Sequence, residues 1–437
     1  MAKRPNILYI FTDQQSSDAM SCAGNGDLRT PAMDCLAAEG VRFDRTYCTQ
    51  PLCSPSRASM FSGLVPQQAG VPRNHMAYAE HVLPHTMGHL FSDAGYECVY
   101  GGKWHIPEIA IPEGHGFRQI CGFDDQHLAN ACIDFLRQKH DRPFLMVASF
   151  DNPHNICEWA RNMALPWGPL ADPPSPDECP ELPANFAVPE NEPDIVRLER
   201  DQSWIIYPTR YFSEDLWRQY RWAYYRLAER VDAEIGKILD GLSQCGLDDD
   251  TVVIFSSDHG DGHGGHQWSQ KSVLYEEAVH VPLIVRYKGR TPAGRVDREH
   301  LISNGLDLLP TLCDWAGIEP PSGRLGRSFR PLAEGATPSE WRDEVVVETI
   351  FDGQWNLGTR GRALVTDRWK YIVYDRGRPR EQLFDLAADP GETRSLAGDP
   401  SAAEALADCR RRTARWCAAV EPPGRWPFRV PGHETEA

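Results

Sequence analysis

The stretch Pro51-Leu52-Cys53-Ser54-Pro55-Ser56-Arg57-Ala58-Ser59-Met60-Phe61-Ser62-Gly63 decides the reading of this chain. Pro55 suits the first turn of a helix, so Cys53 falls at that helix's N-terminus, among backbone N–H groups that lack intrahelical partners. Such a place favours an anion and activates a nucleophile. Arg57 follows one turn later and can point a fixed positive charge back toward the thiol. A bare cysteine at a helix start would be only a packing residue. What surrounds the string separates the two meanings.

Outward from it, short β-branched runs alternate with helical patterns, as in an α/β layer fold. Strands are predicted at Ile7 to Thr12, Val41 to Tyr47, Cys98 to Tyr100, Phe144 to Phe150, Val252 to Ser256 and Leu283 to Tyr287. Thr30 as N-cap and Pro31 open a helix that stops at Gly40. Further helices are expected over Thr86 to Gly95 and Ser213 to Cys245, the latter with a long apolar stripe. Residues 164 to 194 are proline- and acid-rich, a surface excursion. Beyond the break at Pro320 to Ser339, Val345 to Glu348, Ala363 to Thr366, Lys370 to Tyr374 and Leu383-Phe384 read as short antiparallel strands. A helix from Ser401 to Ala418 follows.

Several of these strands run directly into chemistry-bearing residues: Asp13-Gln14 after the first, Asp258-His259 after Val252 to Ser256, Lys103 and His105 after Cys98 to Tyr100, and His154 after Phe144 to Phe150. Oxygen donors at strand ends suit a hard divalent cation. Alone, each pair is as well explained by an ordinary turn.

The Cys53-Ser54-Pro55-Ser56-Arg57 string with Gly63 resembles the type I sulfatases of the alkaline phosphatase superfamily, in which the cysteine is oxidised after translation to formylglycine. Asn6 to Gln15, Ser256 to Gly260, Gly95 to His105, Pro153-His154, Trp268 to Glu277 and the C-terminal Trp369-Lys370-Tyr371 and Asp389-Pro390-Gly391-Glu392 segments extend the likeness over nearly the whole chain. Departures are Ser62, Gln14, Cys98 and Gly101.

The resemblance implies an alkaline phosphatase-like fold, with a large mixed β-sheet sandwiched between helices over 1–340. A smaller C-terminal α+β domain, 341–437, would carry a four-stranded antiparallel sheet and a terminal helix. Metal ligands would be Asp13, Gln14, Asp258 and His259, around one divalent ion. Calcium is the family's usual ion, and a nitrogen ligand with only two carboxylates leaves manganese or magnesium open. The catalytic set would be Cys53 as formylglycine, with Arg57, Lys103, His105, His154 and Lys271. Arg57, Lys103 and Lys271 would neutralise the sulfuryl oxygens. His154 or Lys271 would protonate the leaving alcohol, and His105 would remove a proton to release sulfate. Asp151, Asn152, Trp159 and Arg161 are candidates for substrate selection by position only. His263 and His266 receive no role.

Composition bounds these expectations. The 437 residues, 41% hydrophobic and 24% charged, can bury a large core plus a smaller unit. Net charge of −17 argues against nucleic acid or anionic membrane as a partner. Thirteen cysteines, an odd number without zinc spacing, point to free thiols in a reducing compartment. No signal peptide is read, so the chain as written is cytoplasmic, or periplasmic or secreted if a leader was removed.

The function expected is therefore hydrolysis of a sulfate ester, on a small sulfated substrate of carbohydrate type. A formylglycine-generating maturation enzyme is implied as partner. The alternatives are a phosphonate monoester or phosphodiester hydrolase of the same superfamily, and an inactive binder of sulfated sugar.

Overall fold

The computed structural model describes residues 4–111, 113–203, 207–352, 358–421 and 427–433. Its strands in chain order are β1 (Asn6–Asp13), β2 (Val41–Phe43), β3 (Thr46–Tyr47), β4 (Glu97–Gly102), β5 (Arg118–Cys121), β6 (Phe144–Pro153), β7 (Thr251–Ser257), β8 (Leu283–Tyr287), β9 (Arg295–Asp297) and β10 (Ile302–Ser303). Eight of them form one sheet in the order β5-β4-β6-β1-β7-β8-β2-β9. β4, β6, β1 and β7 are mutually parallel, and β8 runs antiparallel to both its neighbours. The sheet is mixed, as expected.

β1 shows why the chain layers. Ile7, Tyr9 and Phe11 pack with Met60 and Phe61 of the Cys53–Ser62 helix. Leu8 and Ile10 face the opposite way, onto Val231, Ile235 and Ile238 of the long helix Glu214–Gln244. Alternation of side chains along a doubly buried strand thus places one helical layer on each face. Ser213 opens the long helix as foreseen, its hydroxyl accepting from Leu216 N.

Three local readings change. The run Val41 to Tyr47 is two strands, because after Phe43 the chain leaves the large sheet and β3 pairs with β10 instead. Thr30 precedes the Pro31–Glu39 helix but makes no side-chain cap; its Oγ1 accepts from Ser21 N. The free N–H groups of Ala32 and Met33 are met by Asp232 of the long helix, a cap supplied by tertiary contact. The helices Asp125–Leu136 and Asn304–Ala316, and strand β5, were not read from the sequence.

The C-terminal meander β11 (Glu344–Ile350), β12 (Arg360–Thr366), β13 (Trp369–Tyr374) and β14 (Glu381–Asp385) is antiparallel throughout. One face carries the Ala403–Val420 helix. The other packs Val347, Ala363 and Ile372 on Tyr275 and Val279. Lys370, fully buried, joins the two layers through Glu276 at 2.8 Å and Glu392 at 2.9 Å. All thirteen cysteines are free thiols. Among the described residues no helix is long and apolar enough to cross a membrane.

Candidate active site

The C-terminal ends of four adjacent parallel strands converge on one point. β1 ends in Asp13, β4 leads into Lys103, β6 carries Asp151, and β7 leads into Asp258 and His259. This is where open α/β sheets present their ligands. The N-terminus of the Cys53–Ser62 helix meets them there. Leu52 is extended, Cys53 is the first helical residue, and Gly63 ends the helix with φ 67°, a left-handed turn that glycine adopts without strain. Every residue of the helix is buried. Its start is pinned by Ser54 N to Asn74 Oδ1 at 3.0 Å, Ser54 Oγ to His105 O, and Ser56 Oγ to Asp258 O at 2.6 Å.

Cys53 Sγ lies 3.0 Å from Lys271 Nζ, 3.3 Å from His259 Nε2 and 3.5 Å from Asp13 Oδ1. Burial pushes its thiol pKa up, but Lys271, Lys103, His259 and a hydrogen bond from His105 outweigh it and hold the value well below the usual range. Burial raises the other core thiols, among them Cys48, Cys132, Cys157 and Cys313. Cys53 moves the opposite way, which sets it apart electrostatically.

Around it, Asp13, Cys53, Asp258 and His259 each offer a ligand atom, all within 4.8 Å of one another. His259 directs Nδ1 at Gly260 O, 3.0 Å away, which leaves Nε2 for the cluster. Gln14 joins the same rim: its backbone N donates to Asp258 Oδ1 at 3.1 Å and its Oε1 accepts from Lys271 Nζ at 2.9 Å. These donors fit one divalent cation. Burial and the neighbouring Asp13 push the Asp258 carboxyl up to about 6, the response of two buried acids that a cation would relieve.

Arg57 behaves differently from expectation. Its Nε donates to Asp258 Oδ2 at 2.8 Å, its Nη2 to Asp13 Oδ2 at 2.8 Å, and its Nη1 to Lys103 O at 2.5 Å and Ser149 Oγ at 3.0 Å. With the side chain wholly buried, the fork braces the two carboxylates from behind and presents no surface to a substrate anion. The sequence places it one turn from Cys53, but the helix turns it beneath the acids.

The other cations divide. Lys103 Nζ sits between Asp13 Oδ2 and Asp151 Oδ1, 2.8 Å from each. Lys271 reaches the thiol and the Gln14 amide. His105, with φ 64°, is buried, its Nδ1 has no hydrogen-bond partner among the described residues, and burial lowers its pKa against the pull of Cys53. His154 is the more open of the two histidines, its side chain 21% exposed and its Nδ1 3.9 Å from Asp151 Oδ1.

Asp151 and Asn152 are both buried and bonded to neighbouring side chains. Asp151 is 2% exposed and holds Lys103 and Asn155, and Asn152 is held by Asp125. Trp159 packs on Tyr220 and Arg161 on Tyr207. His263 bonds Arg221, and the His266 ring lies against that of Tyr275, centroids 4.1 Å apart. The sequence reading missed Asp261, buried, whose Oδ2 accepts from Gln14 Nε2 at 2.7 Å. Asp261 lies one residue past the Asp258-His259-Gly260 motif.

The family model for sulfatases matches residues 5–318. The chain belongs to the sulfatase family. A second model, N-sulphoglucosamine sulphohydrolase, C-terminal, matches residues 264–417 of this sulfatase. Similar to it is the Delta 4,5-hexuronate-2-O-sulfatase of Bacteroides thetaiotaomicron, 31% identical, covering 93% of this chain and 88% of that protein. A solved 2-O GAG sulfatase aligns with a TM-score of 0.84 at 30% identity, over 96% of this chain and 93% of that one. The phosphonate monoester hydrolase of Agrobacterium radiobacter aligns at TM-score 0.81 and 24% identity over 96% of each chain, a likeness of fold. The sulfatase described here is a sulfuric ester hydrolase of alkaline phosphatase-like fold.

Proposed function

We propose that this sulfatase hydrolyses a sulfate ester of a sugar, with residue 53 acting as formylglycine beside one divalent ion held by Asp13, Gln14, Asp258 and His259. The observation that carries the reading is Cys53 Sγ, set within 3.5 Å of Asp13, His259 and Lys271 at a helix N-terminus. The sugar is supported by the relatives, whose names specify a hexuronate and a GAG. The two units, 1–340 and 341–437, would meet beside this site.

Hydrated formylglycine would supply the attacking hydroxyl, and the metal would favour its ionised form and neutralise sulfuryl charge. The protein's own residues do the rest. Lys103 and Lys271 supply positive charge where the sulfuryl oxygens gather. Lys271 stays a cation beside the Asp13 carboxylate, whose charge opposes the effect of burial, and can give its proton to the departing oxygen. His154, on the open side, is the second donor to that oxygen. His105, kept neutral by burial, accepts the proton whose removal frees sulfate. Arg57 orients Asp13 and Asp258.

Calcium is the family's usual ion, while the imidazole of His259 suits manganese; metal analysis of the purified protein decides between them. The test of function is turnover of an aryl sulfate against an aryl phosphonate monoester, in protein co-produced with a formylglycine-generating enzyme. Preference for the phosphonate ester would overturn the reading. Mass analysis of the peptide containing Cys53 checks the modification, and an intact thiol would favour a binder of sulfated sugar.

A further inference from the structure

A hollow of roughly 440 Å³ opens on the C-terminal sheet, lined by Gly358, Arg360, Asp375, Arg376, Arg380, Pro427 and Arg429. Four arginines and one aspartate line it, in a chain whose overall charge is −17. So strong a local reversal of sign makes an anion trap. The walls are fixed. Arg360 is held by Asp375 Oδ2 at 3.1 Å and lies over the Phe428 ring, and Arg380 donates to Tyr374 O at 2.8 Å and Arg429 O at 2.7 Å. Arg376 and Arg429 are exposed, and neither meets a carboxylate among the described residues. They are the two cations left to a ligand.

Two separate chains of contacts connect the rim of the hollow to the sulfate site. Lys271 is followed by Ser272, whose N donates to Pro51 O at 2.9 Å and whose O accepts from Thr349 Oγ1 at 2.6 Å. Thr349 pairs with Gly361 and Ile350 with Arg360 across β11 and β12. The start of β12 is thus one strand removed from the lysine segment, with Arg360 turned to the opposite face of the sheet, over Phe428. On the other side Gly358 lies against Arg73. The next residue, Asn74, bonds the start of the nucleophile helix.

We propose that this hollow is a second anion subsite, which takes a sulfate or carboxylate borne by a sugar further along the chain whose sulfate is being cleaved. The proposal rests on the sulfated-glycan reading and deepens it: a substrate of several residues, anionic at more than one of them. The planar guanidinium forks of Arg376 and Arg429 suit sulfate and carboxylate. The acid surface elsewhere disfavours nucleic acid as the ligand.

The test uses the full-length protein and calorimetric binding of a sulfated, uronate-containing hexasaccharide and of the matching disaccharide. Arg376→Glu and Arg429→Glu should each weaken hexasaccharide binding about tenfold, with disaccharide binding changed far less. Arg378→Glu, on the same turn but outside the hollow, is the charge-matched control. Unchanged hexasaccharide binding in the first two variants would overturn the proposal. So would equal losses in all three variants, or equal losses for both ligands. Wild-type turnover of an aryl sulfate tests the underlying function separately, since binding is read without catalysis.

Discussion

Gln14 Nε2 donates to Asp261 Oδ2 at 2.7 Å, and this bond decides which end of the amide faces the cluster of Asp13, Asp258 and His259. Asp261 also accepts from Tyr220 Oη at 3.0 Å, His263 N at 2.7 Å and Gln270 N at 3.0 Å, so as a carboxylate it offers Gln14 only acceptors. The amide nitrogen must turn to Asp261 and the oxygen to the site. An aspartate at position 14 would set two buried acids against each other, a physical reason for glutamine here.

Asp261→Asn should therefore weaken metal binding about 10- to 100-fold, the usual cost of losing a partner that orients a ligand. Titration of the metal by calorimetry, or the metal dependence of Tm, reads this without relying on turnover. Equal affinity in the variant would mean that the amide is oriented by something else.

Arg57 is expected to show itself in stability. Arg57→Met leaves Asp13 and Asp258 buried without their shared cation and should cost about 3–5 kcal/mol. Arg57→Lys keeps the charge but cannot span both carboxylates and should fall between that variant and the wild type. Urea unfolding of the three proteins gives the ranking. A neutral Met variant would show that the acids are balanced by other groups.

The two lysines should separate. Lys103 neutralises Asp13 and Asp151, whereas Lys271 touches the thiol and an amide oxygen. Lys271→Ala should lower kcat about 10²- to 10³-fold with little change in stability. Lys103→Ala should lose activity and stability together. Equal destabilisation of both variants would contradict this division.

His105 supplies a pH dependence with a definite sign. Burial lowers its pKa, so the folded protein keeps the imidazole neutral below the ordinary value of about 6.5. Activity as a base should hold down to that lowered value and then fall, and His105→Ala should remove this limb from the kcat profile. In stability the unfolded chain binds the extra proton first. The contribution of His105 is thus complete above about pH 6.5 and declines as pH drops below it. A limb above pH 7 that vanishes in the variant would show the imidazole to be charged at rest.

Much of this site was legible in the chain because it is built on strand ends. Asp13, Lys103, His154 and Asp258 each follow an apolar run, and a parallel sheet brings the ends of neighbouring strands together whatever their separation in sequence. Cys53 was legible because its helix begins where the apolar strand pattern stops and proline intervenes.

The sequence by itself determined the family, the two layers of helices around a mixed sheet, and the group of residues that meet at Cys53. Short motifs, each a property of neighbouring residues, carried the resemblance to the family, and the mixed sheet and the expected site residues came with that resemblance. Only the tertiary structure decided what each side chain faces. It turned Arg57 from the expected anion to Asp13 and Asp258, moved Asp151 from substrate selection to holding Lys103, and brought Asp261 to Gln14. Asp261 and Gln14 lie 247 positions apart, and their pairing follows from the register of β1 against β7. A hydrogen bond between buried groups is chosen by what else has lost its water nearby, which no local stretch of chain contains.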